Sequence, residues 1–261
     1  MNKKQNHNQV ISDRRVSIVT GAAGDLGSAV ARHLAVQGDL VVLVDLDDEA
    51  LRSVEASMEG EGHLIGNLDI SNEAAVKEFA GDIQSRFQSI NALFNNAGTN
   101  GGTHPIAEHP FDDFCRMFEV YVFGTFLMMK YFLPLIAKAD DVRVLNTSSE
   151  AGLKANERRG AYSATKAAII QLTRATALEY GRAGVRVNTL FPGTIAGAFM
   201  KRSVNPNSLI DSFSAHAAIA DGCSLGRYAE ADEIAVQACY RLTDAPTYVN
   251  GAVHLADGCR R

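Results

Sequence analysis

Short apolar runs alternate along the chain with longer stretches in which apolar residues recur at helical spacing. Runs such as Val16–Thr20 and Leu40–Asp45 are dominated by β-branched and aliphatic residues, which is typical of strands buried on both faces of a parallel sheet. The other predicted strands are His63–Leu68, Ile90–Phe94, Val142–Leu145, Val185–Phe191 and Ala252–Leu255. Helices are predicted between them at Ser28–Gln37, Asp47–Met58, Asn72–Phe87, Phe111–Ala139, Ala161–Ala183 and Glu230–Leu242.

This alternation predicts an α/β fold: a doubly wound, mostly parallel seven-stranded sheet with helices on both faces. No linker-like change in composition divides the chain, so residues 16–261 are predicted to form a single domain. The polar segment 1–15 is expected to be a disordered tail, and the irregular stretch Thr194–Gly226 to be a lid over the substrate. Ser71 is the predicted N-cap of the helix that follows it.

Composition narrows the classes of function. The 261 residues carry a formal net charge of −5 without clustered Lys or Arg, so no nucleic-acid partner is expected. No apolar run approaches the roughly 18 residues that a membrane span needs, so no membrane partner is expected either. The four cysteines are widely spaced and have no His partners at zinc spacing, which indicates free thiols in a reducing compartment and no metal site. The predicted location is the cytoplasm.

A glycine turn follows the first predicted strand. Gly21, Gly24 and Gly27 stand between that strand and a helix, and the next strand ends at Asp45. This is the order of a dinucleotide-binding βαβ unit, in which glycines admit the pyrophosphate and the helix N-terminus attracts it. Asp45 would bind ribose hydroxyls and repel a 2′-phosphate. Because no Lys or Arg stands in the turn or in the six residues after Asp45, the sequence predicts NAD rather than NADP.

Candidate catalytic chemistry lies in the second half of the chain. Tyr162 and Lys166 are four residues apart in a predicted helix, so the phenol and the ammonium project from one face. A neighbouring cation favours the phenolate and lowers the phenol pKa from about 10, which makes the group a usable proton acceptor or donor. Ser149 follows a strand, where open α/β sheets bind ligands. Either its hydroxyl meets the Tyr–Lys pair at one substrate oxygen, or Ser148 and Ser149 merely turn the chain.

The motifs occur in the order typical of the short-chain dehydrogenase/reductase family, which the chain resembles from about Val16 to Gly258. The matching motifs are Thr20-Gly21 with the glycine turn, Asp69, Asn95-Asn96-Ala97-Gly98, Ser149, Tyr162 with Lys166, Pro192-Gly193 and Asp257-Gly258. The resemblance implies a Rossmann-like fold, Tyr162 as acid/base, Ser149 bonded to the reacting oxygen, and Lys166 as ribose binder. It also implies that Asp69 meets the adenine and that Asn95–Gly98 lies beside the adenosine ribose.

The predicted catalytic residues are therefore Ser149, Tyr162 and Lys166. The predicted cofactor-binding residues are Gly21, Gly24, Asp25, Leu26, Gly27, Asp45, Leu46, Asp69, Ile70, Asn96, Ala97, Gly98, Tyr162, Lys166, Pro192, Gly193, Thr194 and Ile195.

Three positions depart from the family pattern. Asp25 stands where the family has its middle glycine, and its carboxylate would repel a pyrophosphate unless it points away. Gly197 stands where many members carry a Thr that touches the nicotinamide amide, a role left to Thr194. Tyr121 stands at the place of the family's catalytic Asn, which helps to hold a water beside the Lys. We expect its ring to be buried near Ser149 and Lys166 and to narrow the site.

The resulting prediction is an NAD-dependent oxidoreductase that interconverts a secondary alcohol and a ketone by hydride transfer, with Tyr162 as acid/base. The alternative is an NAD-binding regulatory or scaffold protein whose turnover was lost when the catalytic Asn became Tyr121. The predicted partner is a small-molecule alcohol or ketone. Apolar residues in excess on Phe111–Ala139 and Ala161–Ala183 also predict a homodimer or homotetramer.

Two further groups have weaker chemical interpretations. His104 and His109, with Glu108 and Asp112 nearby, fit no metal-binding spacing, so a solvated loop or a histidine at the mouth of the substrate site is the preferred interpretation. Arg158 and Arg159 precede the Tyr162 helix and are interpreted as a solvated turn, with a docking patch for a carrier protein or coenzyme A as the alternative.

Overall fold

The computed structural model describes residues 14–99, 101–197 and 222–259. The predicted tail lies almost wholly outside the described residues, and so does most of the predicted lid. The strands are β1 (Val16–Thr20), β2 (Leu40–Asp45), β3 (Leu64–Asn67), β4 (Ala92–Asn95), β5 (Val142–Thr147), β6 (Val185–Pro192) and β7 (Val253–Ala256). The helices are α1 (Asp25–Val36), α2 (Asp48–Ala56), α3 (Glu73–Arg86), α4 (Phe111–Phe118), α5 (Gly124–Ile136), α6 (Gly160–Tyr180) and α7 (Ala231–Leu242).

The seven strands form one sheet in the order β3-β2-β1-β4-β5-β6-β7, and every neighbouring pair is parallel. The chain moves outward from β1 to β3, then returns to the other side of β1 and continues from β4 to β7. The direction of winding therefore reverses between β1 and β4. In open α/β sheets this reversal leaves a crevice beyond the carboxyl ends of the strands, where ligands bind.

The core consists of two apolar layers, one on each face of the sheet. Alternate residues of a strand point to opposite faces, so Val42 and Val44 of β2 pack with α3 and α5, whereas Val41 and Leu43 pack with α1, α2 and α7. Both layers are almost free of solvent. The two-sided burial explains why β2 and β4 are almost wholly apolar, and it confirms the predicted fold class.

The long apolar stretch before β5 is one continuous helical rod with a change of winding. A π-helical turn, Glu119–Phe123, joins α4 to α5, and the rod continues through Pro134 to Ile136. By length and composition Phe111–Ile136 could span a membrane, but 61% of its most apolar window is buried in the domain, as in any core helix. Short π segments are frequent at functional sites, and Tyr121 lies in the middle of this one.

Several predicted boundaries are corrected by the structure. The N-cap of α3 is Asn72, whose side chain accepts a hydrogen bond from Ala75 N at 3.2 Å, whereas Ser71 donates its hydroxyl to Asp69. Helix α1 starts three residues earlier than predicted, at Asp25. Strand β5 extends through Asn146 and Thr147, because the sheet continues to pair polar residues as readily as apolar ones.

Candidate active site

A cavity of about 470 Å³ opens at the carboxyl edge of the sheet, at the reversal between β1 and β4. Fourteen of the predicted site residues line it: Gly21, Gly24, Asp25, Leu26, Asp45, Asn96, Gly98, Ser149, Tyr162, Lys166, Pro192, Gly193, Thr194 and Ile195. The fold thus collects residues from six separate parts of the chain around one cleft. Its volume is in the range typical of ligand sites.

Five predicted cofactor-binding residues do not line this cavity: Gly27, Leu46, Asp69, Ile70 and Ala97. Gly27 packs α1 against the glycine turn, because a Cβ there would overlap Gly21 O. Leu46 is largely exposed, while Ile70 is buried in the core. The Asp69 carboxylate accepts hydrogen bonds from Ser71 and from Arg116 Nη2 at 3.0 Å. Burial raises the Asp69 pKa, but these hydrogen bonds outweigh it and hold the pKa below its ordinary value.

The first turn of α1 presents backbone donors to the cleft. Gly24 is the N-cap of α1 and has no side chain to satisfy the N–H groups of that turn. Gly24, Asp25 and Leu26 all line the cavity. A helix N-terminus without a side-chain cap attracts phosphate, because its N–H groups and its dipole both favour an anion. This part of the cleft therefore fits the pyrophosphate of a dinucleotide.

Asp45 ends β2 with its carboxylate at the rim of the same cleft. One oxygen accepts a hydrogen bond from Ala23 N at 3.1 Å, and the other accepts from Leu46 N at 2.7 Å. The oxygen that accepts from Leu46 N also accepts from Asp47 N at 3.4 Å, so the oxygen bonded to Ala23 N keeps the free acceptor capacity for a ribose hydroxyl. The backbone bonds fix the carboxylate in place beside the glycine turn.

Two of the departures from the family pattern meet each other in space. A Cβ on Gly197 would overlap the carboxylate of Asp25. Glycine at position 197 is thus the residue that makes room for Asp25, and the two substitutions form one structural change. The carboxylate extends from the start of α1 across to the segment that follows β6.

Tyr162 and Ser149 lie together in the inner part of the cleft. Ser149 is the N-cap of a short 3₁₀ turn, and its Oγ accepts a hydrogen bond from Ala151 N at 3.3 Å. The Ser149 hydroxyl also hydrogen-bonds to the Tyr162 phenol. Both interpretations of this serine therefore hold in part, since the same hydroxyl turns the chain and reaches the phenol.

Lys166 is buried beside these two residues, with only 3% of its surface exposed. Its Nζ donates to Thr147 O at 3.0 Å, lies 4.0 Å from the centre of the Tyr121 ring and 5.5 Å from that of Tyr162. Burial, followed by repulsion from Arg159, lowers the pKa of Lys166 to about 7. The ammonium is held by one carbonyl and an aromatic face, with no carboxylate within salt-bridge distance among the described residues.

The phenol pKa differs from the sequence expectation. Burial raises the pKa of Tyr162 above its ordinary value, while the positive charge of Arg159 and the hydrogen bond from Ser149 act in the opposite direction. The charge of Arg159 and the hydrogen bond from Ser149 together do not outweigh the burial of the phenol. The structure therefore places the acid form of Tyr162 as the resting form.

Tyr121 fills the space between Lys166 and Tyr162, as its residue type and position predicted. The side chain is 3% exposed, and its hydroxyl donates to Thr99 O at 2.5 Å. Its ring meets that of Tyr162 edge to face, with centroids 5.7 Å apart. A Cβ on Gly98 would lie 2.6 Å from the ring, so this glycine is needed for Tyr121 to fit. Tyr121 thus narrows the inner wall of the cleft.

Eight residues that line the cavity were not among the predicted site residues: Ala23, Asp47, Tyr121, Thr147, Ser148, Glu150, Asn156 and Arg159. Thr147 and Ser148 could have been predicted as site residues from the sequence, because they stand at the end of a strand beside Ser149. Arg159 could also have been predicted, since it stands three residues before Tyr162. Glu150 directly follows Ser149 and could have been predicted on the same ground, whereas for Asn156 only the tertiary structure brings the chain back to the cleft.

The histidine cluster lies next to the cleft. The rings of His104 and His109 are 5.2 Å apart, and His109 Nε2 is 3.3 Å from Asp113 Oδ2. Within the part of the chain that the structure describes, no group of three or more potential ligands could hold a metal ion.

Comparison with known proteins identifies the family. The profile of the short chain dehydrogenase family matches residues 15–208, about three quarters of the chain. The chain belongs to the short-chain dehydrogenases. This confirms the resemblance drawn from the motifs, and with it the classification as an oxidoreductase acting on CH–OH groups.

Named relatives of this short-chain dehydrogenase act on alcohols, diols and polyols. It is 32% identical over 244 residues to 2,5-dichloro-2,5-cyclohexadiene-1,4-diol dehydrogenase of Sphingobium indicum, covering 92% of this chain and 94% of the relative. It is 31% identical to meso-2,3-butanediol dehydrogenase of Serratia marcescens, covering 94% of each. The crystal structure of NAD⁺-bound xylitol dehydrogenase superposes with a TM-score of 0.87 at 30% identity, covering 94% of this chain and 98% of the other.

Proposed function

We propose that this short-chain dehydrogenase interconverts a secondary alcohol and a ketone with NAD as cofactor, and that Tyr162 is its acid/base. The observation that carries the proposal is the convergence of Ser149, Tyr162 and Lys166 on the cleft that Asp45 and the glycine turn also line. A site for a dinucleotide and a proton-transfer group therefore face one another. The relatives named as diol and polyol dehydrogenases favour a hydroxylated small molecule as substrate.

The chemistry follows from three side chains. NAD, when bound, supplies the acceptor for the hydride that leaves the carbinol carbon. Tyr162 Oη takes the hydroxyl proton in oxidation and returns it in reduction, while Ser149 holds the substrate oxygen by a hydrogen bond. Lys166, when protonated, stabilises the phenolate and binds a ribose hydroxyl. Tyr162 is partly buried, and this burial raises the pKa of its phenol.

Substitution of the phenol tests this assignment. Tyr162→Phe is expected to abolish turnover while leaving the Kd for NAD within about threefold, since the hydroxyl acts in proton transfer and adds little to cofactor binding. The measurements are NADH formation with 2,3-butanediol and xylitol, and calorimetric titration with NAD. Turnover that survives in the variant would contradict the role of Tyr162.

Preference for NAD over NADP is proposed from Asp45. Its carboxylate is fixed by Ala23 N and Leu46 N, so it cannot easily turn away from a 2′-phosphate. Calorimetry should give a Kd for NADP at least tenfold above that for NAD, a difference of about 1.4 kcal/mol. Asp45→Ala combined with Leu46→Arg should narrow the gap, and equal affinities in the wild type would contradict the proposal.

The alternative, a regulatory or scaffold protein that binds NAD without turnover, is favoured by one observation. Tyr121 occupies the place of the catalytic Asn and packs its ring on Lys166 at 4.0 Å. A wild type that binds NAD and oxidises no alcohol, and gains turnover as Tyr121→Asn, would support this alternative. Turnover by the wild type would exclude it.

We also propose a homodimer or homotetramer in the cytoplasm. Large apolar side chains are exposed on the π turn and the two long helices, namely Phe123, Phe126 and Leu178. All four cysteines are free, which is the usual state in a reducing compartment. Light scattering at micromolar concentration tests the assembly, and a monomer would contradict it.

A further inference from the structure

Arg159 places a second positive charge at the reaction centre. Its guanidinium carbon lies 4.5 Å from the centre of the Tyr162 ring, and the residue lines the same cavity as Ser149 and Lys166. The side chain is half-buried, so the guanidinium faces the cleft from beside the phenol. This position differs from the solvated turn that the sequence suggested.

The backbone around Arg159 is held by a neighbouring loop. His104 N donates to Arg158 O at 2.9 Å, and His104 forms a β-bridge with Arg159. Arg158 adopts a left-handed conformation with φ of 61°, and its side chain is exposed. This turn sends the two neighbouring arginines in different directions: Arg158 into solvent and Arg159 into the cleft.

The Arg159 guanidinium has no acceptor among the described residues. Other arginines of the fold have one: Arg116 pairs with Asp69, Arg143 with Asp141, and Arg227 with Glu233. Arg159 forms neither an ion pair nor a side-chain hydrogen bond there, although Glu150 lines the same cavity. A guanidinium has five N–H donors, and no residue that the structure describes accepts from those of Arg159.

The charge of Arg159 also affects its neighbours. It is a cause of the lowered pKa of Lys166 and opposes the rise in the pKa of Tyr162. The inner cleft thus holds two cationic side chains, and the charge of Arg159 destabilises the protonated form of Lys166. An anion bound at Arg159 would compensate this repulsion.

We propose that Arg159 binds an anionic group of the substrate, a carboxylate or a phosphate, so that the substrate class is a hydroxy acid or a phosphorylated alcohol. The planar guanidinium fork matches both groups and would bind them in bidentate geometry. Because the fork lies against the Tyr162 ring, the anion is within a few carbon atoms of the hydroxyl that reacts. This inference rests on the proposed dehydrogenase function and specifies its substrate.

Matched pairs of alcohols test the inference. One pair is 3-hydroxybutanoate and its methyl ester, and the other is glycerol 3-phosphate and glycerol. Wild type is expected to show the higher kcat/KM with the anionic member of one pair, and which pair responds separates carboxylate from phosphate. Arg159→Gln should lower that kcat/KM about ten- to hundredfold more than it lowers the kcat/KM of the neutral member. The loss of the charge acts on Tyr162 and Lys166 with both members, whereas a charge-assisted hydrogen bond is lost only with the anion.

Controls separate anion binding from other effects. Arg158→Gln removes the same charge from the exposed neighbour and should leave both members of a pair unchanged. Arg159→Lys keeps the charge without the fork and should retain part of the preference. Equal losses for the anionic and neutral members would show that Arg159 acts on Tyr162 rather than on substrate, and would overturn the inference. A wild type that prefers the neutral members would overturn it as well.

A binding measurement keeps the inference testable if no alcohol is turned over. In that case the proposed dehydrogenase function fails, and calorimetry of the NAD-saturated protein with 3-hydroxybutanoate and with glycerol 3-phosphate decides the anion site. Binding that Arg159→Gln weakens at least tenfold, in a variant with unchanged circular dichroism, supports the site. Absence of binding, or equal binding by the variant, overturns it.

Discussion

Lys166 should make the protein less stable at neutral pH than a variant without it. Its pKa falls from the ordinary 10.5 to about 7 in the folded chain, chiefly because the side chain is buried. The folded state therefore binds the proton more weakly than the unfolded state does. The resulting destabilisation is complete below pH 7 and is relieved as the pH rises from 7 towards 10.5.

The magnitude follows from the difference in pKa. A fall of about 3.5 pH units, at 1.36 kcal/mol per unit, corresponds to about 5 kcal/mol at low pH. Lys166→Met keeps the length of the stem and removes the charge, so most of this amount should be recovered, reduced by the lost bond to Thr147 O. Between pH 7.5 and 9.5 the wild type should gain about 2–3 kcal/mol relative to the variant, because the slope approaches its limit of about 1.4 kcal/mol per pH unit.

The assay is urea unfolding of the cofactor-free protein at several pH values, for wild type and variant side by side. The titrations of all other groups cancel in the difference between the two. Lys154→Met removes an exposed lysine and is the matched control for the loss of a charged side chain. If the stability of the wild type minus that of the Lys166→Met variant stays flat or falls with rising pH, the reasoning is refuted, because a lysine with a depressed pKa must titrate there.

Two further predictions concern the departures from the family pattern. Tyr121→Leu should lower the pKa of Lys166 by about one further unit, because a desolvated cation–π contact contributes up to about 2 kcal/mol. Tyr121→Phe keeps the ring and should leave the pH profile of kcat/KM unchanged. Identical pH profiles for the Leu and Phe variants would contradict this prediction. Gly197→Thr should destabilise the wild type by about 1–3 kcal/mol through overlap with Asp25. It should cost less in Asp25→Gly, where only the unfavourable φ of 158° remains. Additive effects in a thermal-unfolding double-mutant cycle would show that the two positions are independent.

The sequence determined the architecture because burial on both faces leaves a direct mark on the chain. The runs at Val16–Thr20 and Leu40–Asp45 match β1 and β2 residue for residue, since a strand covered on both sides has almost no polar positions. The sequence determined the helix ends less closely, because a cap depends on which side chain reaches a free backbone N–H group. Asn72 rather than Ser71 caps α3, and the hydroxyl of Ser71 binds Asp69 instead.

The sequence also indicated the chemistry, because Tyr162 and Lys166 are joined by one helical turn and Ser149 stands at a strand end. Only the tertiary structure decided the charges and contacts around them. Arg159 enters the cleft because a loop remote in sequence fixes the turn before α6. The aromatic contact of Tyr121 with Lys166 depends on the packing of α4 and the π turn against α6. A pKa depends on burial and on charges brought together from distant parts of the chain, and neither quantity is encoded in local residue spacing.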